Sequence, residues 1–517
     1  MSNTQTVREG IDFSETRRWS NRHQTVSQQL SGIFDIYNID NDDKLSAYNA
    51  ATENFKWLIG EAKSKGIRLH ALGGGWSLTD VGMSRDYLVN TKQLRLIFSI
   101  SKDRVVASYP GKAKGLRLIQ CGNSITRLNR KLRESKRSIK TSGSSNGQTI
   151  AGALSTGTHG SAFKFGAIQE FVVGIHLVVG TSRHVWLERK SYPVTKPNFA
   201  KILGAELIRD DQLFNAALVS FGSFGFIHSV MIETDPLFLL EAHRVLLPFN
   251  NSFRKCLSTL DFSSLNLPHP HNNDNQLIHF EVVFNPNGDL KDAIVTVMYK
   301  RTFRKNYPHL EAETDEPGLG DGALSIIGRI LDQLPARLTR PSINRSVASE
   351  FAEYGPKWGT VGEIFSSEKV RGKTLSAAMA IPLSEAENAL EIALSTHSNH
   401  GELFPGIISL RYVKGSEATL AFTRFPQSKR IAVLEVDSIY SKENLNFLKK
   451  VWKQLDQSNI PYKVHWGKIN NITKSRVNKM YGNNAIEQWT TARESLLEPA
   501  TRNIFTNPFL EKAGLAT

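Results

Sequence analysis

Read for the spacing of its apolar positions, the first half of the chain alternates between helical and extended segments. Ala51, Phe55, Leu58, Ile59 and Ala62 recur at helical spacing and Gly66 is a natural stop, which predicts a helix over 44–65. Ile67–Leu72 (IRLHAL), Tyr87–Asn90 and Leu116–Cys121 read as strands, and Ser124 is placed to cap a helix carrying Ile125, Leu128 and Leu132 on one face. Phe171–Val179, interrupted by Gly174 and His176, reads as a buried strand and is too short to span a bilayer. In the second half, 278–284 (IHFEVVF), 292–299, 407–412 and 431–437 have strand character. Ser384-Glu-Ala-Glu387 reads as a capping box ahead of Ala389, Ile392 and Ala393, and Ser441 opens a helix with Leu445, Leu448, Trp452 and Leu455. This mixture predicts an α+β fold, and 517 residues exceed one ordinary core, which suggests two domains. The Gly/Asp/Glu-rich stretch 312–323 reads as a mobile loop.

Two small-residue segments interrupt the first half. Strand 67–72 runs into Gly73-Gly74-Gly75-Trp76-Ser77-Leu78. A dinucleotide-binding turn would open a helix directly after its glycines, but here a loop (80–85) leads to another strand, so that reading fails on context. The second segment, Gly143 to Gly160, contains Ser144, Ser145, Gln148, Thr149, Gly152, Ala153, Thr156 and His159. So few bulky side chains let backbone N–H groups and hydroxyls approach an extended, polar, anionic ligand. A flexible linker would not carry embedded Ile150, Leu154 and His159.

Together the two loops resemble the FAD-binding domain of the vanillyl-alcohol oxidase/p-cresol methylhydroxylase superfamily, closest to its sugar-lactone, alditol and sterol oxidase branch. Three more segments match in order: Asp211–Ala217 running to Gly222-Ser-Phe-Gly225-Phe226-Ile227, then His465-Trp466-Gly467-Lys468, then a tail with Arg493, Pro499, Phe505 and Asn507. The resemblance implies a two-domain flavoprotein: an N-terminal extension (1–44), an FAD-binding domain (45–235), an antiparallel-sheet cap domain over the flavin (236–460) and a C-terminal return (461–517). It places Gly225 and Ile227 against the adenosine part of FAD. Many relatives carry a His where this chain has Trp76, and that His bonds to the flavin. An indole cannot form that bond and Cys121 occupies no matching position, so non-covalent FAD is expected, and direct use of oxygen comes into question.

The resemblance also supplies candidates for oxidation of a C–OH group. Lys468 lies in the motif near the flavin and the substrate hydroxyl. Arg411 is kept from a Glu-x-Arg pair in which Glu has become Ser409; alternation along a strand puts both on one face. Glu435 is a candidate replacement base if an apolar pocket raises its pKa, the alternative being a paired surface residue on an edge strand. Glu281 is a weaker candidate of the same kind. His159 and His465 read as structural, and Phe253, Phe262, Phe280, Phe284 and Phe404 as pocket or, more commonly, core. A lactone, a sterol-like alcohol or a secondary-metabolite intermediate fits equally, with oxygen, a quinone or a carrier protein as acceptor. A catalytically impaired flavin-binding protein is the rival from another class.

Composition changes this picture little. The net charge of +15 is scattered, without a basic block or nucleic-acid motif, and FAD itself is anionic; no nucleic-acid partner is expected. Two cysteines, Cys121 and Cys256, cannot build a disulfide framework or a zinc site, and the polar start MSNTQTVREG lacks a secretory pattern, so a cytoplasmic location is expected.

Overall fold

The computed structural model describes residues 4–16, 18–269, 276–309, 327–330, 338–368, 372–399 and 403–516. The expected loop at 312–323 lies outside them. Two larger sheets organise the first half. In one, Thr4–Arg8, Ile11–Ser14, Gly32–Tyr37, Tyr87–Gln93 and Leu69–Leu72 pair in that order, the last three strands parallel. Thus residues 4–37, which read as an extension, supply three strands to the sheet that ends at the Gly73 loop. The other sheet has six strands, with Val172–Val178 near its middle between His184–Glu188 and Phe226–Glu233. Helix Lys44–Lys65 buries Ala51, Phe55, Leu58, Ile59 and Ala62 in the same core cluster as these strands. Asp43 caps its start and Gly66, at φ 63°, ends it.

The second half is organised by one antiparallel sheet of eight strands, Tyr354–Gly359, Phe238–Pro248, Asp292–Thr302, Leu277–Phe284, Gly406–Lys414, Arg430–Ile439, Thr374–Pro382 and Lys463–Val464, in that order. Helices Asn251–Thr259, Ala386–Ser398 and Lys442–Gln457 join its core cluster. The five phenylalanines named above are all buried in that cluster rather than on a cavity wall. Ser441 caps the third helix through Asn444 N–H as expected. The Ser384 capping box does not form: a 3-10 turn over Leu383–Glu385 consumes it, and the helix starts at Ala386 without a side-chain cap.

The last two-residue strand ties the C-terminal segment to this sheet. Its continuation then returns to the first half. In helix Lys474–Leu496, Trp489 Nε1 donates to Val219 O (3.1 Å) and the fully buried Arg493 donates to Ser223 O (3.0 Å). Asn507 Nδ2 donates to Val81 O and Met83 O.

Candidate active site

A cavity lies where the two glycine loops of the first half face the polar side of the eight-stranded sheet. Gly73, Gly74, Gly75, Trp76, Ser77 and Leu78 line it. Gly75 needs its lack of a side chain, because its φ is 69°. From the second loop come Gly143, Ser144, Ser145, Gln148, Thr149, Gly152, Thr156 and His159, and from the third segment Gly225 and Ile227.

The second loop is not wholly extended, as a pure backbone cradle would be. Residues Ile150–Thr156 form a short helix, capped by Thr149 Oγ1 accepting from Gly152 N–H (3.3 Å) and ended by Gly157 at φ 78°. Residues 148, 149, 151, 152, 155 and 156 line the cavity, while Ala153, fully buried, turns into the core. Ala153 and Gly160 therefore do not line the cavity; a Cβ on Gly160 would lie 2.1 Å from Ser142 O, so that residue serves close chain packing.

The opposite wall is a polar stripe on the eight-stranded sheet. Antiparallel register sets Glu281 beside Arg411, Ser409 beside Glu435, and Ser376 beside Asp437. Arg411 Nε donates to Glu281 Oε1 at 2.7 Å and lies 3.3 Å from Glu435 Oε2. Lys468, carried in by the turn after Lys463–Val464, donates from Nζ to Glu435 Oε1 at 2.5 Å. His159 Nε2 approaches the same oxygen at 3.6 Å. Glu281, Arg411, Glu435 and Lys468 thus alternate in sign, and the last three line the cavity while Glu281, like Ser409, does not. Ser409 is buried behind the cavity surface rather than on it.

This arrangement reverses one sequence expectation. Glu435 sits on a central strand, not an edge, and its pKa is not raised. Burial pushes it up, but the charges of Arg411 and Lys468 prevail and hold it well below the usual carboxylate range. Glu281 is likewise held low by Arg411 against the effect of burial. The carboxyl pushed upward is Asp437, two residues further along the strand: burial and the neighbouring charge of Glu435 raise it, against the pull of Lys468. Its Oδ2 is buried without a hydrogen-bond partner. Sequence inspection missed Asp437, although its position two residues from Glu435 on a strand was the available signal. It also missed His70, Cys121, Thr374 and Ser376 on the wall. Burial lowers His159 to about 4, so it is neutral at pH 7; its Nδ1 is 3.0 Å from Gly160 O. His465 accepts from Gly467 N–H (3.0 Å) and orients the turn that carries Lys468.

The walls suit a large polar cofactor. Trp76 Nε1, Gln148 Oε1 and Asp437 Oδ2 are buried polar atoms without partners. Each belongs to a residue lining the cavity. The sites at which a nucleotide cofactor would need close backbone approach are the ones built from glycine and serine.

Comparison with known proteins agrees with this geometry. A family model described as an FAD binding domain matches residues 49–188. A D-arabinono-1,4-lactone oxidase of Debaryomyces hansenii is 25% identical over 202 residues, 38% of this chain but only 33% of its own length. An L-gulono-1,4-lactone dehydrogenase of Mycobacterium tuberculosis is 24% identical over 431 residues, 82% of this chain and 86% of that protein. Among solved structures, cholesterol oxidase from B. sterolicum superposes with a TM-score of 0.68 at 13% identity, covering 99% of this chain and 100% of that one. A xylooligosaccharide oxidase from Myceliophthora thermophila C1 gives 0.59 at 14% identity, covering 95% and 93%. One fold is thus shared by oxidases named for substrates as different as cholesterol and a xylooligosaccharide.

Proposed function

We propose that this chain, which belongs to the FAD-binding oxidoreductases of the vanillyl-alcohol oxidase superfamily, oxidises a CH–OH group of a small sugar lactone, with its FAD held non-covalently. The observation that carries the reading is the charge-alternating set Arg411–Glu435–Lys468, with Asp437 beside it, facing two glycine loops across one cavity, while Glu281 pairs with Arg411 off the cavity surface. The lactone follows from the two relatives named above. Non-covalent binding is supported by Trp76, whose carbon-linked indole offers no nucleophilic nitrogen comparable to imidazole; a Cβ on Gly147 would lie 2.5 Å from its Nε1, so the ring packs on the second loop.

When bound, the flavin supplies the hydride acceptor. The protein must orient the substrate carbon, take the hydroxyl proton and offset negative charge. Lys468 reaches the cavity with its ammonium fixed on Glu435, and can donate to the substrate oxygen. Glu435 is a poor base, because two cations hold it ionised; it positions Lys468 and Arg411. Asp437 is the better proton acceptor, since its carboxyl is destabilised as an anion and its Oδ2 is free. Arg411, fixed by Glu281, is a donor for a lactone carbonyl or neighbouring hydroxyl.

Anaerobic mixing of the FAD-loaded protein with a panel of aldonolactones should bleach the flavin for at least one of them. No bleaching by any lactone or simple polyol would leave a binding role as the better reading. Repeating the productive reaction with oxygen and with a quinone or dye separates oxidase from dehydrogenase. Acid precipitation should release the flavin to the supernatant; flavin retained in the pellet would refute the non-covalent assignment.

A further inference from the structure

A short hairpin close to the N-terminus, which the sequence places in no functional segment, grips the first glycine loop. Strands Arg18–Ser20 and Ser27–Gln29 pair antiparallel, and the turn between them is built internally: Asn21 Nδ2 donates to Thr25 Oγ1 (2.8 Å) and Val26 N–H to Asn21 Oδ1 (3.0 Å). Four hydrogen bonds run from this turn to the loop. Arg22 donates from its backbone N–H to Gly75 O and from Nε to Gly74 O, both at 2.9 Å. Asn21 Nδ2 donates to Ser77 O (2.8 Å) and Thr25 Oγ1 to Leu78 O (2.9 Å).

These bonds fix the direction of the loop's peptide groups. In a trans peptide the N–H points opposite to the C=O. With the carbonyls of Gly74, Gly75 and Ser77 drawn toward the hairpin, the N–H groups of Gly75, Trp76 and Leu78 face away from it. Leu78 N–H indeed bonds Gly467 O on the other side (2.7 Å), and the same peptide geometry turns those of Gly75 and Trp76 away from the hairpin, as two donors that an anion can accept from. The hairpin also contributes wall. Trp19 and His23 both line the cavity, His23 with its ring 5.6 Å from that of Trp76 and its Nδ1 buried without a partner. The Arg22 guanidinium lies 5.5 Å from the centre of the Trp76 ring.

We propose that this hairpin is part of the FAD site: Trp19 and His23 contact the cofactor beside Trp76, and Asn21 and Arg22 are positioning residues that aim the amides of Gly75 and Trp76 at its pyrophosphate. The inference rests on the reading that the cavity holds FAD. The chain thereby retains by enclosure a cofactor it has no suitable residue at position 76 to tether.

The test is titration of apoprotein with FAD, followed by flavin fluorescence, for wild type, the pair Trp19→Ala/His23→Ala, the pair Asn21→Ala/Arg22→Ala, and the conservative Trp19→Phe. Both alanine pairs should raise Kd by about tenfold or more. The melting temperature of their apoproteins should stay near that of wild-type apoprotein, while the stabilisation gained on adding FAD shrinks. Trp19→Phe should recover most of the affinity. Alanine pairs that bind within about twofold of wild type overturn the proposal alone. A wild-type chain that takes up no FAD overturns the underlying reading as well.

Discussion

Replacing Asp437 by Asn should abolish most turnover while making the protein more stable. The side chain keeps nearly its shape, but it can no longer ionise or accept a proton. In the folded chain burial and Glu435 raise the Asp437 carboxyl from 3.8 to about 6. At 1.36 kcal/mol per pH unit, a carboxylate kept ionised there at neutral pH costs the fold up to about 3 kcal/mol. The sign follows from proton uptake: between pH 4 and 6 the folded state holds a proton that the unfolded chain has released, so stability falls as pH rises through that window and is level above it. The Asn variant loses this decline. It should melt at a higher temperature than wild type at pH 7.5 and at nearly the same temperature at pH 4. Its rate of anaerobic flavin bleaching by substrate should fall by about 10²- to 10⁴-fold. In wild type that rate should rise with pH through about 6 and then level, because the base acts when deprotonated. Bleaching within about tenfold of wild type, with the same pH profile, would refute the role given to Asp437.

Glu435→Gln removes the anion shared by Arg411 and Lys468 and leaves Lys468 without its partner while Arg411 keeps Glu281; a loss of about 1–3 kcal/mol by chemical denaturation is expected, together with loss of turnover. Lys468→Met should retain FAD, measured by the ratio of flavin to protein absorbance, yet bleach at least about 10²-fold more slowly. Ser441→Ala should cost about 1 kcal/mol because its hydroxyl caps a helix. Ser384→Ala, whose expected cap does not form, should change stability by less than about 0.5 kcal/mol.

Local chemistry was legible in the sequence where it acts over a few residues. The caps at Ser124 and Ser441, the Gly66 stop and the strands around 172–178 and 277–284 follow from neighbours on the same segment. The family motifs located Lys468 and Arg411 at the cavity. What could not be read depends on which segments meet. Glu435 reads as a base in an apolar pocket until Arg411 and Lys468, from two other segments, surround it and invert its proton affinity. Asp437 acquires its character from burial and from Lys468, brought in by another segment, as well as from Glu435 two residues away, and only register sets Ser376 beside it. Residues 19–25 carry no motif; their meaning lies in hydrogen bonds to residues 74–78, about fifty positions away.

The walls of the cavity draw on residues as far apart as Trp19 and Lys468. During synthesis the glycine loops leave the ribosome long before the turn that carries Lys468, and before Asn507 fastens the tail to Val81 and Met83. The nascent chain must therefore keep an open crevice soluble without its cofactor, and FAD can be sealed in only after nearly the whole polypeptide has emerged. Maturation of this protein should accordingly respond to the supply of free FAD after translation, and scarcity of flavin should leave an intact but emptied chain as the form most open to proteolysis.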